Sequence, residues 1–330
     1  HVVAGLATGE SIIVPDSKLK DAGVHVIVGE ATRVDARHKK VRLSDGNEIG
    51  YEKLFLATGA SPVLPPIEGC DFKGVLTLRG QSDAQQIKCY LADNRPKKIV
   101  FIGAGFISLE VASLLSAVYP DAFEMTVVEV LNRPLPLMLD ADMGALVKEF
   151  LQERGMTILT GEKVEKITGR DGIVAGVALA SGRVLDADMV FMNVGSRPNI
   201  ALANNIGLEI GKFGIKVNQF QETSDPDILA GGDCVEKMHF ITKKPVGGQL
   251  RGPAVIQGRL AAKRLAGYEI KFPGVLNSGG CQIFGKTVTA TGLTEEEAGE
   301  EGIETVTATV DSRSKHDMIP GVKPWRIKLV

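Results

Sequence analysis

Cysteine, aromatic residues and unbalanced charge are all scarce in this chain. Its 330 residues hold four cysteines and one tryptophan, aromatics make up 5%, and the formal net charge is −2. Cys70, Cys89, Cys234 and Cys281 lie far apart, without a Cys-x-x-Cys pair or a histidine at zinc spacing. That spacing argues against a disulfide scaffold and against a metal site, and scattered thiols suit a reducing cytoplasm. A nearly neutral chain has neither the basic stripe of a nucleic-acid groove nor a polybasic membrane surface. No run approaches the roughly 18 apolar residues of a membrane span, and no signal peptide is visible.

What is present is glycine and small aliphatics. The 38 glycines and 44% hydrophobic content suit buried parallel strands under close-packed helices. The length predicts two or three domains. Short β-rich runs occupy residues 24–57 ("VHVIVGE", "KKVRLSDG", "EKLFLATG") and return to a central strand at Leu54–Ala57. "SDAQQIKCYLADN" predicts a helix with Ser82 as its cap. Pro96 then opens a βαβ unit: strand Lys98–Ile102, helix Gly105–Val118, strand Met125–Val130, helix Asp140–Arg154 and the strand "MTILTG". A hairpin, "GIVAGVALASGRVL", and a buried strand, "ADMVFMNVG", follow. "PAVIQGRLAAKRLAG" predicts a long helix stopped by Gly267, and Phe272–Ser278 a linker to a last β-rich unit.

The stretch "VFIGAGFISLE" (100–110) carries the first chemistry. Gly103 and Gly105 stand where a strand must turn into a helix, so backbone can approach a pyrophosphate at the helix N-terminus. Ser108 takes the third position, where glycine is usual but another small residue still allows close packing. Glu129, at the end of the next strand, lies 26 residues past Gly103. A carboxylate there accepts from a ribose diol and repels a 2′-phosphate, which favours NADH over NADPH; Arg133 is the nearby residue that could counter it.

Two further stretches exceed a simple dehydrogenase. "LFLATGASP" (54–62) is a strand ending at Ala57, Thr58 and Gly59, and "DPDILAGGDCVE" (225–236) is a strand ending at Gly231, Gly232 and Asp233. The order "LATGASP", "GAGFISLE", "NVGSRPN", "ILAGGDC" resembles the FAD-dependent pyridine nucleotide-disulfide oxidoreductases over nearly the whole chain. The resemblance implies an α/β protein with two Rossmann-like dinucleotide-binding domains plus part of an α+β dimerisation domain. The FAD domain would be discontinuous, 1–95 and 213–272, and would lack its N-terminal βαβ unit. The NADH domain would span 96–212 and the dimerisation domain 273–330.

By the same resemblance, Ala57, Thr58, Gly59, Gly232 and Asp233 line FAD. Gly103, Gly105, Phe106, Ile107, Glu110, Glu129, Gly195 and Ser196 line NADH, with Glu110 on the helix that faces the flavin. It further implies that the opening Gly-x-Gly-x-x-Gly and a redox cysteine lie upstream of His1, so the chain as given should be weakly coloured and inactive. Among the cysteines present, Cys234 is the one beside the expected flavin, but a buried structural thiol is the weightier reading. His316 beside Asp317 reads as a solvated loop rather than an acid–base pair. Met318-Ile319 replaces the Tyr-Tyr pair that precedes Pro-Gly in CoA-disulfide reductases. The expected enzyme is cytoplasmic and homodimeric, passing hydride from NADH to FAD and on to oxygen, a disulfide or a persulfide. Two alternatives stay open: a reductase of a rubredoxin- or ferredoxin-like carrier, and an inert NADH-binding module.

Overall fold

The computed structural model describes residues 2–316 and 318–330. Asp317, the suggested neighbour for His316, lies outside the described residues. After a short helix at Asp16–Asp21 the chain builds a three-stranded antiparallel sheet from Ala31–Asp35, Lys40–Leu43 and Glu48–Gly50. Val24–Glu30, read from its valines and isoleucine as a strand, joins no ladder. Val24, Ile27 and Val28 face outward, Val28 being 93% exposed. Alternation gave the run a strand-like pattern, but it has no sheet edge to pair with. The chain then enters β1 (Leu54–Leu56) and, past the Ala57–Gly59 turn, β2 (Ala60–Pro62).

The NADH-type unit, expected at 96–212, is the regular part, and Val75–Leu76 and Gln81–Asn94, before that boundary, share its sheet and core. In chain order it contains β3 (Val75–Leu76), α1 (Gln81–Asn94), β4 (Lys98–Ile102), α2 (Phe106–Val118), β5 (Glu124–Glu129), α3 (Ala141–Gln152), β6 (Thr157–Thr160), β7 (Met189–Met192) and β8 (Ser196–Pro198). One parallel sheet runs in the order β3-β7-β4-β5-β6. The first strand of the βαβ unit, β4, therefore has β5 on one side and β7 on the other, and strand order reverses between β4 and β7. Ligands of open α/β sheets bind at such reversals.

The sheet is buried on both faces, which is why its strands read as continuous apolar runs. Ile99, Phe101, Val127, Met189 and Phe191 point into one core with Leu109, Ala112 and Leu115 of α2. Val100, Ile102, Val128, Val190 and Met192 point into the other, under the antiparallel strands Val164–Arg170, Ile173–Leu179 and Val184–Asp186. Phe101 and Phe191 stack across β4 and β7 with centroids 4.8 Å apart. Each such fully buried side chain contributes about 1.5–3 kcal/mol through burial alone.

Helix α1 begins one residue before Ser82, and its cap is a different residue. Asp83 turns back so that its Oδ2 accepts the N–H groups of Arg79 and Gly80, both at 2.8 Å. A carboxylate near a helix start meets two orphan donors at once, which a serine at 82 could not do from inside the first turn.

After the NADH-type unit the chain returns to β1. Strand β9 (Ile228–Ala230) pairs with it in parallel, and α4 (Arg251–Leu265) follows, with Gly267 just past its end at φ +87°. The expected linker is pinned: Val275 donates to Met238 O at 2.9 Å and accepts from Phe240 N at 2.7 Å. The C-terminal unit comprises β10 (Gly279–Ile283), β11 (Lys286–Ala290), α5 (Glu295–Glu300), β12 (Ala308–Arg313) and β13 (Pro324–Leu329). Its first hairpin is no separate body, because Cys281 and Ile283 share the core beneath α2. No helix among the described residues is long and apolar enough to cross a membrane.

Candidate dinucleotide sites

At the β4–β7 reversal, Gly103 has φ +95°, and a Cβ there would collide with the carbonyl oxygen of Asn193, the residue after β7. Only glycine lets the two strand ends close this tightly. A Cβ on Gly105 would meet nothing within 4 Å, so this side of the turn is open. Gly105 caps α2, and no side chain bonds the helix's first N–H groups. Open backbone over uncapped donors at a thirteen-residue helix is a fitting cradle for a pyrophosphate. Ser108 is buried and accepts Asn193 Nδ2–H at 3.2 Å, consistent with a small residue in the packing position.

Glu129 has an additional task that the sequence did not reveal. Only 6% exposed, its Oε2 accepts Ala104 N–H at 2.8 Å and its Oε1 accepts Leu131 N–H at 2.9 Å. The acid thus ties the glycine turn to the loop after β5. Each oxygen keeps a lone pair for a ribose hydroxyl, so bracing and ribose binding are compatible.

Phe106 packs beside Gly279 of β10, while Ile107 is exposed at the mouth of α2. Glu110 faces the C-terminal hairpin, where its Oε1 accepts Gln282 N–H at 3.4 Å. Gly195 has φ +113°, and its carbonyl accepts Val63 N–H at 2.9 Å. Ser196 opens β8, which pairs antiparallel with β2. That short ladder joins the two candidate sites.

The second site lies where the parallel pair β1 and β9 ends. A cleft of about 410 Å³ is lined there by Phe55, Ala57, Gly59, Arg79, Gly232 and Asp233, among others. Gly231 N–H bonds Leu56 O at 3.1 Å, holding the two strand ends together. Gly59 at φ +69° has no heavy atom within 4 Å of a would-be Cβ, and Gly232 has φ +84°. Exposed glycine backbone and a guanidinium supply donors for phosphate, and the carboxylate supplies an acceptor for hydroxyls, a fitting set for a phosphate-linked dinucleotide.

The Thr58 hydroxyl does not point at that space. It donates to Asn199 O at 2.6 Å, and Asn199 Nδ2 donates back to Thr58 O at 3.0 Å. Thr58 shapes the turn, and its neighbour Gly59 presents the free backbone. Cys234 is fully buried, with its Sγ 3.3 Å from Gly231 O and 3.5 Å from Leu56 O. Its thiol is packed against the strand end, out of contact with solvent. Cys281 is also buried, and burial, aided by Glu110, pushes its thiol up to about 12. Among the described residues no cluster of His, Cys, Asp and Glu could hold a metal ion.

Sequence reading missed three residues here. Arg79, far away in sequence, reaches Asp233 Oδ2 at 2.5 Å. Gln257, buried on α4, accepts Gly232 N–H at 3.0 Å. Lys237 is buried and donates to the carbonyls of Gly232 and Gly248, both at 2.9 Å, and of Val235 at 3.3 Å. Burial lowers its pKa, opposed by the nearby Asp233. A lysine inside an apolar strand end ("DCVEK") was the available signal for the last. Nothing local marks Arg79.

Parallel strands ending in glycine turns, one pair at a topological reversal, make this an α/β protein of the dinucleotide-binding type. The profile of the pyridine nucleotide-disulphide oxidoreductases matches residues 4–254, and the chain belongs to that enzyme family. It is 39% identical over 301 residues to an NADH oxidase of Methanocaldococcus jannaschii, covering 90% of this chain and 66% of that protein. A NAD-dependent persulfide reductase from A. fulgidus superposes with a TM-score of 0.92 at 33% identity, over 99% of this chain and 62% of that one. A FAD-dependent pyridine nucleotide-disulphide oxidoreductase from Desulfovibrio vulgaris superposes with a TM-score of 0.77 at 32% identity, over 89% and 74%. The chain therefore spans just under two-thirds of the length of the first two.

Proposed function

We propose that this chain belongs to an NADH-dependent flavoprotein that passes hydride from NADH to FAD and on to oxygen, a disulfide or a persulfide. The observation that carries this reading is the pairing of two glycine turns, at Gly103–Gly105 and Ala57–Gly59, through the β2–β8 ladder. Gly103, Gly105, Phe106, Ile107 and the N-terminus of α2 hold NADH, and Glu129 accepts from its ribose. Gly195 and Ser196 line the passage between the sites. Ala57, Gly59, Gly232 and Asp233 hold FAD, with Arg79 orienting the Asp233 carboxylate and offering its remaining N–H donors to the cleft. Bound FAD supplies a two-electron acceptor for the hydride of NADH. The chain's part is to fix both nucleotides on rigid strand ends, since hydride transfer tolerates little misplacement. Support for oxygen or sulfur as acceptor comes from the relatives above, an NADH oxidase and a persulfide reductase. The same proposal includes a cytoplasmic homodimer formed through the C-terminal unit, where β12 is exposed along its whole length.

Titration of the purified chain with NADH and with FAD tests the two sites separately. NADH should bind, and Asp233→Ala should lower FAD affinity while sparing NADH. Measurable flavin affinity in the unaltered chain that Asp233→Ala leaves unchanged would remove FAD from that cleft, and absence of NADH binding would refute the β4–β7 site.

A further inference from the structure

We infer that Glu296, on α5 of the C-terminal unit, sets the preference for NADH over NADPH by holding Arg133 away from the adenosine ribose. The inference rests on the NADH site proposed above. Arg133 stands four residues beyond Glu129, on the loop that Glu129 anchors through Leu131 N–H. An arginine at this point of a dinucleotide fold is the residue type that accommodates a 2′-phosphate, because its planar fork matches phosphate oxygens.

In this chain the fork is occupied. Arg133 Nε donates to Leu139 O at 2.6 Å, one Nη to Asn132 Oδ1 at 3.0 Å and the other to Glu296 Oε2 at 2.5 Å. The side chain is left only 12% exposed. Glu296 is the one anion among those partners, so the ionic part of the hold is its contribution. Its position is itself fixed. The N–H groups of Glu295 and Glu296 both donate to Asp140 at 3.1 Å, and Lys328 pairs with Asp140 at 3.0 Å and with Glu295 at 2.8 Å. Glu296 Oε1 also accepts Ala141 N–H at 3.3 Å, at the start of α3. The C-terminal unit thereby reaches into the loop that borders the ribose. It withholds a cation there able to answer a 2′-phosphate, while Glu129 repels that phosphate directly.

The test is titration of the full chain with NADH and NADPH, followed by nicotinamide fluorescence. The proteins are the unaltered chain, Glu296→Ala, Glu296→Gln and Glu296→Ala with Arg133→Ala. The Gln variant keeps shape and an acceptor for Ala141 N–H, so it serves if the Ala variant folds poorly. Both single variants should lower the ratio of NADPH to NADH dissociation constants on the order of ten-fold, the yield of one charge-assisted bond to phosphate. Added salt should erode that gain, and the double variant should abolish it. A ratio unchanged in both single variants while NADH still binds would overturn the inference, as would a gain that persists without Arg133. An unaltered chain that binds neither nucleotide would instead refute the NADH site itself.

Discussion

Glu129 offers the sharpest separation between a residue that contacts ligand and one that builds the site. If its only task were the ribose, Glu129→Arg would exchange NADH for NADPH at a swing of about 1–3 kcal/mol. The structure leads to a different expectation, because two backbone N–H groups point at this buried carboxylate from 2.8 and 2.9 Å. An arginine would set a cation against both donors, so Glu129→Arg should lose both nucleotides. The informative change is Glu129→Gln, which preserves shape but offers one acceptor oxygen in place of two. One N–H keeps a neutral bond and the other meets an amide NH₂. Losing one bond to a charged acceptor is worth about 1.5–3 kcal/mol, and leaving its buried donor unpaired is part of the same cost, so about 2–3 kcal/mol of stability should go.

At about 1.5 °C per kcal/mol for a chain of this length, the melting temperature should fall by roughly 3–5 °C. NADH affinity should drop with it, because Ala104 lies between the two glycines of the pyrophosphate turn and loses its anchor. Calorimetry and NADH titration on the same sample read both quantities. A Glu129→Gln chain with unaltered melting would refute the bracing role. Unaltered melting with weakened NADH binding would return Glu129 to a ligand contact alone.

Other expectations follow from the same geometry. Arg79→Ala should weaken FAD binding in the β1–β9 cleft, as Asp233→Ala should, and equal flavin affinity in both variants and the unaltered chain would place the flavin elsewhere. Cys234→Ala should cost about 1 kcal/mol of packing and leave NADH binding unchanged; loss of nucleotide binding without loss of stability would contradict a purely structural thiol. Burial works to raise the Asp140 pKa, but the amides of Glu296 and Glu295 and the Lys328 ammonium hold it below its ordinary value. A carboxylate lowered on folding contributes stability above its unfolded pKa and loses it as pH falls through the folded value. The C-terminal unit should therefore loosen below about pH 4, seen as faster amide exchange in α5, and Asp140→Asn should remove that acid step.

Legibility followed the physics of each signal. The NADH-type unit could be read almost residue by residue, because strands buried on both faces and amphipathic α3 leave long, periodic patterns. Its glycine turn was equally plain, since Gly103 answers a backbone demand that no other residue meets. The Val24–Glu30 run misled for the converse reason: alternation records a preference for extended backbone but not the presence of a partner strand. Ser82 misled because capping depends on which side chain can reach back, and Asp83 reaches two donors. The cation of the flavin cleft was invisible. Arg79 and Asp233 are 154 residues apart, and their meeting depends on how β1, β9 and α1 are arranged in space.

The acids and hydroxyls that sequence marks as ligand contacts are committed first to the protein's own backbone or side chains. Glu129 holds Ala104 and Leu131, Thr58 is locked to Asn199, and Asp233 is paired with Arg79. The groups left open are backbone: the uncapped start of α2 beside Gly105, and the free faces of Gly59 and Gly105. This division makes physical sense for a large anionic nucleotide. Backbone donors on strand ends cannot swing away, and side chains that would otherwise be mobile lose that freedom once they brace a turn. Less ordering is then left for the ligand to impose, so more of its binding energy appears as affinity. The consequence is that a substitution at Glu129, Thr58 or Asp233 changes the platform as well as the contact, and affinity alone cannot assign its role. Stability measured alongside binding can.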